Sequence, residues 1–153
     1  MGCRENFELV DNPDRADWMR KEALCNLARD GCMAELYRLT DNPDRADWIR
    51  EGALEALCAF AQLGGASLSG TSVAVRFGDV SVTLDCVSVD VSAIGPTAAQ
   101  YLFELADNPD RADRLRRRAT EALASGRWSK HCFALADNPD RADWIRKLAM
   151  RGV

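Results

Sequence analysis

The sequence predicts a mainly α protein: an α-solenoid of four αα-hairpin repeats with a period of 30 residues, interrupted by a β-hairpin or small antiparallel β insert. Three observations predict it. The string DNPDRAD occurs four times, starting at Asp11, Asp41, Asp107 and Asp137. Apolar residues around each copy keep helical spacing. Between the second and third copies a Val-rich stretch replaces that spacing with strand-like alternation. A chain of 153 residues has the length of a single domain. It divides into repeats 1 and 2 (residues 1–63), the insert (64–96) and repeats 3 and 4 (97–153).

Positions are counted from the first Asp of each block. An aromatic stands at −4 (Phe7, Tyr37, Phe103, Phe133) and Leu at −2 (Leu9, Leu39, Leu105, Leu135). Position +8 is Met19, Ile49, Leu115 or Ile145, position +9 is always Arg, and position +12 is always Ala. Position +16 is Leu27, Leu57, Leu123 or Val153. These spacings describe a short helix A running up to the block and a longer helix B after it. Asn-Pro reads as a helix start, because the residue before Pro is pushed out of the helical region and Pro suits the first helical position. Asn12, Asn42, Asn108 and Asn138 are therefore expected as N-caps of helix B. Pairs such as Asp11–Arg15 and Asp17–Arg20 are expected to brace the first turn, each contributing about 0.3–0.5 kcal/mol. Gly31 and Gly64 stand where helix B must stop.

An αα hairpin of this size cannot bury its apolar stripe alone; stacked neighbours can. The pattern Leu105-Ala-Asp107-Asn-Pro109-Asp, followed by Leu115-Arg116, Ala119 and Leu123, resembles HEAT-like repeats of the phycobilisome-lyase type. A weaker resemblance, through Ala142, Trp144, Lys147 and Ala149, is to Sel1-like repeats. The HEAT-like resemblance implies an interaction scaffold and brings no catalytic residue with it. The block carries about three more residues between Pro and the apolar-Arg pair than such repeats show.

In the insert, Val73, Val75 and Phe77 face one way, Gly78-Asp79 supplies a two-residue turn, and Val80, Val82 and Leu84 return. The parity then switches to Val87, Val89 and Val91, which implies a bulge or bend near Asp85-Cys86. Gly95-Pro96 is expected to end the insert, with helix A of repeat 3 starting near Thr97. A lone hairpin is marginally stable. The insert is thus expected either to plug the solenoid or to pair with a partner or a second copy.

Hydrophobic residues at 47% and charged residues at 29% describe an ordinary globular chain. A formal charge of −4 gives no overall attraction to nucleic acid or anionic lipid. No apolar run approaches the ~20 residues of a membrane span, and the first residues lack the order of a signal peptide, so a cytoplasmic location is expected. The six cysteines show no regular spacing and are expected as reduced, mostly buried thiols.

On a helical wheel, position +7 points roughly 145° away from the apolar stripe. It holds Trp18, Trp48, Arg114 and Trp144. Either these residues form a partner-binding ladder, as Trp and Arg do at hot spots, or each Trp lies in the groove against the next repeat, covered by Lys and Arg stems. A basic patch gathers at Arg111, Arg114, Arg117, Arg118, Arg127 and Lys130. With Arg116 these form seven basic residues against Asp113 and Glu121. No catalytic motif, metal spacing or cofactor loop stands out. His131 and Cys132 are adjacent on a helix and do not point together, and the block lacks the glycine and spacing of a calcium loop. The chain is expected to be a non-enzymatic protein-binding module, with an inhibitor or immunity-type protein as a specialised form. The alternative is binding of nucleic acid or an acidic partner through the Arg-rich third repeat.

Overall fold

The computed structural model describes residues 2–62, 72–77, 80–85 and 91–153, with side chains for 2–62 and 95–153. Helix A and helix B of repeat 1 are α1 (Cys3–Asp11) and α2 (Asp17–Arg29). Those of repeat 2 are α3 (Met33–Asp41) and α4 (Asp47–Gln62). Two strands follow, β1 (Ser72–Phe77) and β2 (Val80–Asp85), paired antiparallel with Val75 opposite Val82. Repeat 3 is α5 (Val91–Asp107) and α6 (Asp113–Ser125), and repeat 4 is α7 (Ser129–Asp137) and α8 (Asp143–Ala149). A 3₁₀ turn, Met150–Gly152, follows α8.

The chain divides into two compact units: Met1–Ala56 with Leu68–Asp90, and Leu57–Ser67 with Val91–Val153. In the first, Val10, Leu24, Leu27, Leu36, Leu39 and Ile49 are sealed from solvent. In the second, Phe60, Leu102, Leu105, Leu115, Leu123, Leu135 and Ile145 are. The Ala at +12 is buried in all four repeats, where its small side chain lets the helices approach.

The expected fold class, helical repeats broken by an insert over 64–96, is corrected. The described core is helix on helix throughout, and helix claims residues 91–96. Val91, expected as the end of an apolar strand set, opens α5, and Gly95-Pro96 lies inside that helix. The spacing Val91, Ile94, Ala98, Leu102, Leu105 carries the helical period across the proline, so the Pro signal misplaces the boundary. β2 lies against α2 of repeat 1, whereas the turn at Gly78-Asp79, Cys86 with the parity switch to Val87 and Val89, and the stop at Gly64 lie outside the described residues.

The block is also corrected. Helix B starts at +6 with Asp17, Asp47, Asp113 and Asp143, and the residue before it is Ala, with no side-chain cap at Ala16, Ala112 or Ala142. Asn is instead the extended residue that closes helix A. Its Oδ1 accepts the N–H of the Asp two residues on, at 2.9 Å in every repeat. This is an Asx turn, with Pro fixing φ in the middle. A second bond runs from the N–H of Arg15, Arg45, Arg111 or Arg141 to the Asn carbonyl. The Asp at +6 then begins helix B at the positive end of its dipole.

Helix B of repeat 1 stops as expected, at Gly31 with φ 68°. The Cys32 N–H reaches the Leu27 carbonyl at 2.9 Å, closing a Schellman motif. The same motif ends α6, with Trp128 N–H on the Leu123 carbonyl at 3.1 Å. There the left-handed position is held by Arg127, φ 57°, a conformation that costs a non-glycine residue roughly 1–2 kcal/mol.

Candidate interaction surface at the repeat ends

The Arg at +9 is a latch within each repeat. Its Nε donates to the carbonyl at −1, near the end of helix A. The distances are 2.9 Å for Arg20 to Val10, 3.0 Å for Arg50 to Thr40, 3.0 Å for Arg116 to Ala106 and 2.9 Å for Arg146 to Ala136. Arg20, Arg50 and Arg116 are buried. The expected brace from Asp17 to Arg20 is therefore replaced: Arg20 turns inward and satisfies a carbonyl that helix A leaves open.

The Asp at position 0 is tied to the following repeat instead of to its own turn. Asp11 meets Arg45 at 2.7 Å and Asp107 meets Arg141 at 2.8 Å. Two further contacts cross the same junctions. Lys21 and Arg20 stand over the Trp48 ring at 5.6 and 5.7 Å, and Arg117 stands over Trp144 at 4.8 Å. The aromatic at −4 is covered by helix A of the next repeat: Arg38 lies over Phe7 at 4.5 Å, and His131 faces Phe103 at 5.2 Å. Each junction thus joins an offering set (−4, 0, +10) to a receiving set (+4, +7 and a helix A residue).

The members of position +7 differ in their surroundings. Trp48 and Trp144 are half-buried beneath cations of the preceding repeat, and do not form a free ladder. Trp18 has no repeat before it among the described residues and is 70% exposed. Arg114 is exposed. Of the expected basic patch, Arg117 is spent on Trp144, Arg111 and Arg118 are half-buried, and Arg114, Arg127 and Lys130 face solvent.

The remaining large exposed hydrophobics among the described residues are Phe133, Met150 and Val153, all in repeat 4. An open groove of about 350 Å³ lies there, lined by Ala136, Asp143, Arg146, Lys147 and Met150. On repeat 1 a second groove of about 340 Å³ is lined by Glu5, Glu8, Leu9, Asn12 and Arg15. These two grooves and the exposed large hydrophobics lie on the first and last repeats.

Cysteine chemistry departs from expectation. Cys3 and Cys32 form a disulfide joining repeats 1 and 2, while Cys25, Cys58 and Cys132 are buried and outside any disulfide. Sequence reasoning missed the pair, although its separation of 29 falls one short of the repeat period. Helix A of one repeat thus lies beside helix A of the next at that spacing. Glu35 lies with the two sulfurs within 4.8 Å, but the sulfurs are bonded to each other and offer no metal ligand. Burial pushes the Cys25 and Cys132 thiols up from their ordinary value, which keeps them protonated and poorly nucleophilic. Burial pushes His131 down, and its ring is occupied with Phe103.

Trp128, at the N-terminus of α7, was not among the expected site residues. Its Nε1 donates to the Ala61 carbonyl at 2.6 Å, and Gly126 leaves room for that approach: a Cβ there would meet the same carbonyl. This Trp is a structural anchor of the second unit.

No protein-family model, curated protein or solved structure matches the chain. No helix among the described residues is long and apolar enough to cross a membrane. The functional reading rests on the geometry of the repeats.

Proposed function

We propose that the chain is a non-enzymatic helical-repeat module that binds a protein partner, with an inhibitor or immunity-type protein as its specialised form. The observation that carries this reading is the exposure of Trp18. Its counterparts Trp48 and Trp144 are covered by Lys and Arg stems from the neighbouring repeat. An exposed Trp flanked by charge on a rigid helix is what hot spots are made of. Membership among the HEAT-like αα repeats belongs to the same proposal and is supported by the helix pairs and the shared Leu, Arg and Ala positions. The Cys3–Cys32 bond favours an oxidising compartment over the cytoplasm.

The alternative through the third repeat is less favoured. Arg116 is buried on a carbonyl and Arg117 lies on Trp144, so two of its cations serve the fold.

Capture from native lysate on the immobilised chain separates the two readings. The proposal expects partner bands that disappear with Trp18→Ala and survive raised salt. Bands that survive Trp18→Ala but vanish with Arg114→Ala and fade steeply with salt would contradict it in favour of phosphate or acidic recognition.

A further inference from the structure

We infer that the partner of the Trp18 face is repeat 4 of a second copy of this chain, so that copies associate head to tail. This rests on the reading of Trp18 as a binding residue and names what binds it. Two uncovered surfaces match a junction that the fold already builds twice.

At both described junctions, an Asp at position 0 meets an Arg at +4 and a cation at +10 stands over a Trp at +7. Repeat 1 carries an unused receiving set, Arg15 and Trp18, both exposed. Repeat 4 carries an unused offering set, Phe133, Asp137 and Lys147, all exposed. Their counterparts inside the junctions, Phe7, Phe103, Asp11, Asp107, Arg45 and Arg141, are half-buried. Burial thus tracks the junction at −4, 0, +4 and +7, whereas at +10 Arg117 stays exposed over Trp144 as Lys147 is.

The charges are complementary. Asp137 stands where Asp11 and Asp107 stand, and Arg15 where Arg45 and Arg141 stand. Lys147 stands where Lys21 and Arg117 stand, and Trp18 where Trp48 and Trp144 stand. The sequence follows one logic at +10: a cation where the next repeat has Trp, and Glu51 where the next has Arg114. Lys147 therefore suits Trp18. At the third contact the match differs, since Glu8 occupies the position of Arg38 and covers Phe133 with its stem alone. The contact uses two different surfaces, so it is heterologous and grows into rings or open chains instead of stopping at a two-fold dimer.

Purified chain, checked for native helical signal, is followed by sedimentation velocity over a wide concentration range. The inference expects mass rising with concentration, and association weakened at least tenfold by Trp18→Ala, by Arg15→Asp and by Asp137→Arg. The decisive arm mixes Arg15→Asp chains with Asp137→Arg chains. Each is monomeric alone, and the mixture associates because Asp137 of one meets Arg15 of the other, while the two introduced charges also attract. Association indifferent to these substitutions overturns the inference. So does a monomer at all concentrations; if that monomer still captures another protein through Trp18, the binding-face reading stands and only the second copy is wrong. A monomer without Trp18-dependent capture removes both.

Discussion

Replacing Cys3 and Cys32 by serine, or adding reductant, lowers the unfolding free energy of the first unit by about 3–4 kcal/mol. The bond closes a loop with a sequence separation of 29, and cross-linking a loop of that length removes roughly this much chain entropy from the unfolded state. The bond ties repeat 1 to repeat 2 beside the Asp11–Arg45 pair and the stack on Trp48, so its loss loosens a junction and not merely an end. Urea unfolding of the full chain, read through Trp fluorescence with and without reductant, measures it. Reductant should reproduce the double serine variant and leave that variant itself unchanged. A midpoint indifferent to reductant would show that the bond does not form.

Arg116→Ala lowers unfolding free energy by about 2–4 kcal/mol, whereas Arg114→Ala, two residues away on the exposed face, changes it by less than about 0.5 kcal/mol. Arg116 donates its Nε at 3.0 Å to the Ala106 carbonyl while 6% exposed. Burial, and next the charge of Arg141, pull its guanidinium below its ordinary value. A charge held in such a place is compensated by the bonds it makes. Its removal leaves a buried carbonyl unpaired and a gap where the stem lay. Thermal or urea melts of the two variants side by side give the contrast. Equal effects at Arg114 and Arg116 would refute the latch.

Much of the helical core was legible in the sequence. Ala23, Ala53, Ala119 and Ala149, with Leu27, Leu57 and Leu123, keep a helical period that nothing but a buried stripe requires, and all are buried. The start of helix B was not legible. Asn-Pro signals a residue outside the helical region whose side chain accepts a backbone N–H, and both an N-cap and an Asx turn after helix A satisfy that description. The Arg latch carried a signal that charge-pair reasoning overlooked: position +9 lies within about 20° of +16 on the helical wheel, inside the apolar stripe. A cation recurring there needs a buried acceptor. The beginning of α5 was hidden by Gly95-Pro96, a local breaker overridden by the apolar spacing that continues on either side.

At the candidate site, the wheel placed position +7 off the stripe of its own hairpin, and that direction was right. What a single hairpin cannot reveal is the neighbour. Trp18, Trp48 and Trp144 occupy identical local positions, yet the two that face cations of a described preceding repeat are half-buried while Trp18 is 70% exposed. The expected pairing of Asp11 with Arg15 failed for the same reason. Four residues apart on one chain is close, but the turn between them ends the helix, and Arg45 of the next repeat arrives at 2.7 Å.

Each described junction covers the Trp at +7, and Trp18, with no described repeat before it, is left exposed. Three variants, each retaining one of Trp18, Trp48 and Trp144 with the other tryptophans replaced by Phe, test it by acrylamide quenching in dilute solution, below any association. The account predicts that Trp18 emits furthest to the red and is quenched most, with Trp48 and Trp144 shifted to the blue and shielded by Lys21 and Arg117. Equal quenching of all three would contradict it.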